Sequence, residues 1–349
     1  MKWWQQPCQQ TNSNFTVNAE QRQQQLTKPP GAMGLLETTA IRLAGLQGRD
    51  KPAADKIHIS VFAGDHGVVA EGVSAFPQEV TVQMVHNFLQ GGAAISVLAR
   101  QLGATLEVVD TGIMTPLPQQ EGLVLHRAGA GTTNSTVEAA MTPEQLAIAL
   151  QAGHDAVDRA VAQQADLFIG GEMGIGNTTA ATALYAALLD QPVALLAGAG
   201  TGLDHQGIEH KIAVLDTILF RHRDCGSDAM EWLRCTGGFE IAALSGAYLR
   251  AAQCGLPVLL DGFISTAAAL VAIRIQPDVA QWLFLSHVSA EQGHHRVLEI
   301  LNQKPLLDLG MRLGEGSGAA VAVSLIRSAC YLHNEMATFA EAAVAGKLK

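Results

Sequence analysis

Asp166-Leu-Phe-Ile-Gly170, then Gly171-Glu-Met-Gly-Ile-Gly-Asn-Thr-Thr179, then Ala180-Ala-Thr-Ala-Leu-Tyr-Ala-Ala-Leu-Leu189 run on from one another without a break. A short apolar run, a glycine-rich turn and an Ala/Leu-rich segment read as strand, loop and helix, half of a βαβ unit. The same grammar extends outward in both directions. Residues 57–63, 105–110, 165–170, 193–198, 257–261 and 282–287 are six short strand candidates, separated by longer helix-compatible segments. That alternation predicts an α/β fold with a mostly parallel sheet.

The segments just after the strand candidates are more informative than the strands. Gly64-Asp-His-Gly67, Thr111-Gly112, the 171–179 loop, Gly198-Ala-Gly-Thr-Gly202, Gly262-Phe-Ile-Ser-Thr266 and Ser286-His-Val-Ser-Ala-Glu-Gln-Gly293 all gather glycine and polar side chains at carboxyl ends. Ligands of open α/β sheets bind outside those ends, where helix N-termini also point. The pattern therefore predicts a site built from several loops. Residues before about 55 and after Gly318 lack strand signals. A Gln-rich stretch, the stiff turn Lys28-Pro-Pro-Gly31 and a helix over 35–46 precede the sheet, and two helical stretches close the chain. The division expected is a sheet domain over 55–312, with 1–54 and 313–349 packing together as a small helical domain.

Composition narrows the function. The 349 residues are 48% hydrophobic and only 15% charged, enough for one large core plus a small appendage. A net charge of −10, with 22 basic residues spread along the chain, argues against a nucleic-acid partner. The five cysteines show neither a CxxC pair nor a Cys/His metal spacing, so reduced thiols in a cytoplasmic protein are expected. Met1-Lys-Trp-Trp-Gln-Gln-Pro7 lacks the apolar stretch of an export signal, and apolar runs elsewhere are broken well before a membrane span.

Three segments offer chemistry. In the 171–179 loop, Gly174 and Gly176 let backbone amides approach an anion, Asn177, Thr178 and Thr179 add donors, and the helix dipole favours negative charge. An ordinary βα turn with a capped helix would look similar. Gly198-Ala-Gly-Thr-Gly202 repeats the arrangement through Gly200 and Gly202, with Lys211 two turns into the next helix as a phosphate partner or a solvated lysine. Neither loop fits GxxxxGK[ST] or GxGxxG, which weakens an ATPase or dehydrogenase reading. Glu315, in Leu313-Gly-Glu-Gly-Ser-Gly318, suits either a general base with a raised pKa or a helix N-terminus, with Arg312 beside it. His287, His294 and His295 match no zinc spacing; Ser286-His287 reads instead as lining a pocket by hydrogen bonding, and no metal or cofactor is expected in catalysis.

Taken in order, Lys28-Pro-Pro-Gly31, Ala63-Gly-Asp-His-Gly-Val68, Phe76-Pro-Gln78 with Gly91-Gly-Ala-Ala-Ile95, Gly171–Thr179, Gly198–Gly202, Asp261-Gly-Phe-Ile-Ser-Thr266, Ser286-His287 and Leu313-Gly-Glu-Gly316 give a chain that resembles the nicotinate-nucleotide–dimethylbenzimidazole phosphoribosyltransferases over nearly its whole length. The resemblance implies a Rossmann-like parallel six-stranded sheet flanked by helices, a small helical domain from both chain ends, and a homodimer. It implies transfer of phosphoribose from nicotinate mononucleotide to dimethylbenzimidazole in cobalamin synthesis. Glu315 would be the general base, and Glu172 with its glycine loop and Lys211 would hold the nucleotide. Phe76, Gln78, Glu79, Gln83, Met84, Ser286, Ser289 and Leu313 would line the acceptor pocket. One departure is the family's Gly-Ser-Leu-Gly-Arg-Leu-Glu, which reads Gly31-Ala-Met-Gly-Leu-Leu-Glu37 here. A nucleotide glycohydrolase would use the same loops with water as acceptor, and a non-catalytic nucleotide sensor would have no use for Glu315.

Overall fold

The computed structural model describes residues 2–200, 202–302 and 304–345; Thr201 of the second glycine loop and the last four residues of the C-terminal stretch lie outside them. Two helices, α1 (Ser13–Gln25) and α2 (Leu35–Gln47), precede β1 (Ile57–Gly64). Next come α3 (Val80–Gln90), α4 (Ala94–Leu102), β2 (Thr105–Gly112), β3 (Leu123–Leu125), α5 (Pro143–Ala162), β4 (Leu167–Met173) and α6 (Asn177–Leu189). The second half holds α7 (His205–Arg221), α8 (Ala229–Thr236), α9 (Phe239–Cys254), β5 (Val258–Leu260), α10 (Phe263–Ile275), β6 (Leu283–Leu285), α11 (Gln292–Ile300) and α12 (Ser317–Glu335).

The six strands form one sheet in the order β3-β2-β1-β4-β5-β6, and every neighbouring pair is parallel. The α/β reading and its strand count hold, but one strand lies elsewhere than expected. Residues 193–198 are not a strand: Val193–Leu195 is a 3-10 turn after Pro192, whose neighbours Leu196 and Ala197 are buried. A short apolar run is equally compatible with a strand or a buried turn, and burial alone explains its hydrophobicity. The sixth strand is β3 instead, three residues pairing with Val108–Asp110 at the sheet edge. The Gln-rich stretch forms α1, where glutamine is a good helix former and the Asn12 side chain accepts from the Asn14 amide as N-cap.

Every residue of β1 is buried, as expected of a strand covered on both faces. Much of the cover is α5 against α9, whose backbones nearly touch. A Cβ on Gly153 would overlap the Ala243 carbonyl and lie 2.6 Å from the Ala247 nitrogen, and one on Gly246 would overlap the Leu150 carbonyl. The Ala/Gly-rich composition is thus what permits this close helix crossing. At the far side, α1, α2 and the C-terminal segment share contacts: Arg22 Nε donates to the His333 carbonyl at 2.6 Å, and Thr27 N to Ala337 O at 3.0 Å. Among the described residues no helix is long and apolar enough to cross a membrane.

Strand order reverses between β1, whose next strand lies on one side, and β4, which lies on the other. Such a reversal separates the loops leaving the carboxyl ends and opens a crevice there.

Candidate active site

A cavity of about 540 Å³ lies beyond the carboxyl ends of β4, β5 and β6. Its floor is carboxylate-rich. Glu172 comes from the end of β4, Asp261 from just after β5, and Glu315 from the loop before α12. One wall is apolar, with Phe76, Val80 and Met84 from the start of α3 and Leu313 opposite. The other is polar: Asn177 and Thr178 open α6, and Gly200, Glu291 and Arg312 stand across from them.

Backbone geometry aims Glu315 into this space. Its φ is +66°, between Gly314 and Gly316, both at +87°, a left-handed run that costs a non-glycine residue about 1–3 kcal/mol. Several groups hold it. Asp261 accepts from the amides of Gly316 at 3.2 Å and Ala319 at 2.9 Å, anchoring the N-terminus of α12. The Ser317 hydroxyl donates to the Gly314 carbonyl at 2.7 Å, and the Glu315 amide donates to Glu172. Gly171 is required for a steric reason, because any Cβ there would collide with the Glu315 carbonyl.

Electrostatics here are set by burial. Glu315 is 5% exposed. Its carboxyl is pushed up to about 7, first by loss of hydration and further by the charge of Asp261, against the lowering effect of the Ile95 amide that donates to it at 3.4 Å. Glu172 rises to about 8, because it is fully enclosed and faces Asp261, Glu240 and Glu315, although Asn177 Nδ2 and the Glu315 amide both donate to it. Two carboxyls are thereby held near neutral titration in a partly apolar cavity, as acid–base sites require.

Lys211 does not line the cavity. It is 1% exposed beneath the 177–179 turn and donates to Thr178 Oγ1 at 2.8 Å. Burial brings its ammonium down to about 8, opposed by the nearby Glu291. Glu291 in turn accepts from the Gly200 amide, so Lys211, Thr178, Glu291 and Gly200 form one connected group. The two glycine loops, distant in sequence, meet there.

The cavity gathers Glu315, Glu172, Gly174, Asn177, Thr178, Gly200, Phe76, Met84, Ser289 and Leu313 from the residues singled out in the sequence. Others stand behind it. Gly176 is the N-cap of α6 at φ +94°, and Thr179 is wholly buried. Gln78 donates to the His66 carbonyl at 3.3 Å, Glu79 precedes α3, and Gln83 faces outward on it. Ser286 is wholly buried beside β6, and Gly202, at φ +125°, does not line the cavity. Ala32 and Leu35, where the N-terminal signature departs, are exposed and do not line the cavity.

Among the polar cavity side chains, Asp261, Glu291 and Arg312 have no binding role in the sequence reading, whereas His287, read there with Ser286 as lining a pocket by hydrogen bonding, does line the cavity. His287 Nε2 lies 3.5 Å from Asp261 Oδ1; burial opposes its protonation, but the Asp261 carboxylate outweighs that and raises its pKa. Arg312 Nη1 donates to the Gly200 carbonyl at 3.3 Å, bridging the Glu315 loop to the second glycine loop. The available signal is positional: Asp261, His287 and Glu291 all fall in the glycine- and serine-rich segments after strands.

Comparison with known proteins agrees with this layout. The family model described as Phosphoribosyltransferase matches residues 8–344. Proteins named nicotinate-nucleotide–dimethylbenzimidazole phosphoribosyltransferase from Pseudomonas fluorescens (strain SBW25) and Ectopseudomonas mendocina (strain ymp) are 59% and 58% identical to the chain over 345 residues, covering 99% of it and 98% of each of theirs. The crystal structure of CobT from Thermus thermophilus superimposes with a TM-score of 0.92 at 47% identity, covering 96% of this chain and 100% of that one. With the sheet, the loops and the full length in agreement, the chain belongs to the nicotinate-nucleotide–dimethylbenzimidazole phosphoribosyltransferase family, and it is an enzyme of the glycosyltransferase type.

Proposed function

We propose that this enzyme transfers phosphoribose from nicotinate mononucleotide to 5,6-dimethylbenzimidazole, releasing nicotinate and α-ribazole 5'-phosphate for the nucleotide loop of cobalamin. The names of its relatives support the substrates. The chemistry is carried by one observation: a buried carboxylate with a pKa near 7, Glu315, stands between an apolar wall and a turn suited to an anion.

The nucleotide's phosphate rests on the first turn of α6, where Asn177, Thr178 and the helix dipole favour it, with Lys211 supplying positive charge from behind Thr178. Its pyridinium ring faces the carboxylate floor, and Glu172, protonated near neutral pH, donates a hydrogen bond to the sugar. The benzimidazole lies against Phe76, Val80, Met84 and Leu313. One of its ring nitrogens attacks the anomeric carbon while the glycosidic bond breaks toward the pyridinium nitrogen, which accepts the electron pair and leaves as neutral-ring nicotinate. No general acid is needed for that departure. Glu315 takes the proton from the acceptor's other nitrogen as positive charge develops there, and displacement from the opposite face inverts the anomeric centre.

Incubation with both substrates tests this. Nicotinate and ribazole phosphate should appear in equal amounts by chromatography, and a positioned base contributes about 10²–10⁴-fold, so Glu315→Gln should lose that factor in turnover while still binding nucleotide. Nicotinate without ribazole phosphate would instead indicate hydrolysis.

The same proposal includes the organisation around the site. Residues 1–54 and 313–349 act as a small helical unit against the 55–312 sheet domain; the Arg22 hydrogen bond to the His333 carbonyl at 2.6 Å and the contact of Gln23 with His333 at 3.0 Å support it. The enzyme works as a homodimer, a reading supported by the exposed Leu309 and Leu313, 59% and 58% accessible, the second at the cavity. A single-chain mass by light scattering would remove the dimer. Five free cysteines suit a reducing cytoplasm.

A further inference from the structure

Cys225 and Cys235 are ten positions apart in sequence and adjacent in the fold. Cys225 closes the short 3-10 turn Arg223–Cys225 after α7. Glu231 and Cys235 sit one helical turn apart on α8, and i, i+4 spacing puts them on one face. The two sulfurs and a Glu231 carboxylate oxygen all lie within 4.8 Å of one another, with Cys235 Sγ 3.7 Å from Glu231 Oε1. A tetrahedral zinc ion with sulfur at about 2.3 Å separates its ligand atoms by about 3.8 Å, so the three atoms already stand near chelating distance.

The surroundings favour occupation by a cation of one kind. Arg234 bonds Glu231 through Nε at 3.0 Å, approaches Cys235 Sγ with Nη2 at 3.4 Å, and is tied to the Met141 carbonyl at 3.1 Å. Two thiolates and a carboxylate carry three negative charges; a divalent ion and the fixed guanidinium balance them to neutrality. Thiolate donors select zinc-class ions over magnesium or calcium, which prefer all-oxygen shells. Cys235 is 3% exposed, while Cys225 is only partly buried, giving an ion a path in. The other metal-capable group among the described residues, His154, Asp155 and Asp158, offers no thiol donor.

We propose that Cys225, Glu231 and Cys235 form a binding site for a thiophilic divalent cation of the zinc class, separate from the catalytic cavity. On binding, each thiol releases its proton to solvent and its sulfur donates a lone pair to the ion; no electron is transferred. The bound ion ties the turn after α7, the helix that carries Lys211, to α8.

The test is titration of the reduced, chelator-stripped, full-length protein with Cd²⁺, followed by the ultraviolet thiolate-to-cadmium charge-transfer band and by thermal unfolding. One equivalent should saturate the band and raise Tm. Even outer-shell partners of metal sites are worth about 10–100-fold in affinity, so Cys225→Ser and Glu231→Gln should each weaken binding by at least about 10-fold, whereas Cys8→Ser should not. Cys225 is the deciding position, because Cys235 is core-packed and its variant can fail to fold. Absence of a saturable band in folded wild-type protein, a band that persists undiminished in Cys225→Ser, or recovery of Cys225 and Cys235 as a disulfide from the reduced preparation would each overturn the proposal.

Discussion

Lowering the pH of the assay should titrate Glu315 out of its active form, and the structure says where. Its carboxyl is held near 7 by burial, aided by Asp261, against the Ile95 amide. A base works only when ionised, and below its pKa the ionised fraction falls tenfold per pH unit: about half at pH 7, about a tenth at pH 6 and about a hundredth at pH 5. Initial rates of nicotinate release with substrates well below saturation, taken from pH 5 to 8.5, should therefore show log kcat/KM rising with unit slope and levelling off above about pH 7. An exposed glutamate near its ordinary 4.5 would give a flat profile over the same range. The residual rate of Glu315→Gln should lack the acidic limb. A wild-type profile flat from pH 5 to 8, or the same limb persisting in the glutamine variant, would refute the assignment of this carboxyl as the base.

The remaining predictions concern neighbouring parts of the molecule. Glu172 is raised from 4.5 to about 8 in the folded state, so the fold binds a proton that the unfolded chain releases; its contribution to stability is complete below about pH 4.5 and is lost as pH rises through about 8. Thermal melts should accordingly show Glu172→Gln more stable than wild type at pH 8.5 and no more stable at pH 4.5, and an equal difference at both pH values would contradict this. Lys211→Ala should raise KM for the nucleotide severalfold, because it removes a positive charge behind Thr178 and the hydrogen bond that holds that hydroxyl, with a smaller effect on kcat; an unchanged KM would remove it from phosphate binding. Gly153→Ala forces a methyl into the Ala243 carbonyl and should cost about 1–3 kcal/mol in urea denaturation, since overpacked cores seldom relax fully. Gly171→Ala should cut turnover sharply in a protein that still folds, because its methyl displaces the Glu315 backbone; wild-type turnover would show that the base tolerates displacement.

Much of this protein is legible in its sequence because strands, helices and glycine turns are local phenomena. The run from Asp166 to Leu189 declares strand, loop and helix through neighbouring residues alone, and the Gly-rich segments after successive strands locate the cavity end of the sheet. The local signals fail where they are short or ambiguous. Leu123–Leu125 is three residues long and is a strand only because β2 offers an edge, while residues 193–198 carry a strand's hydrophobicity but bury it as a turn.

What lies between elements is different in kind. That Asp261 would anchor the first amides of α12, that Lys211 would sit under Thr178 and out of the cavity, and that Cys225 would meet Cys235 and Glu231 are consequences of chain segments crossing in space. The raised pKa of Glu315 belongs to the same category. Sequence supplied the carboxylate and the two glycines that permit its left-handed backbone, but desolvation is a property of everything packed around a group, and only the closed tertiary structure brings Phe76, Asp261 and the Ile95 amide to the same place.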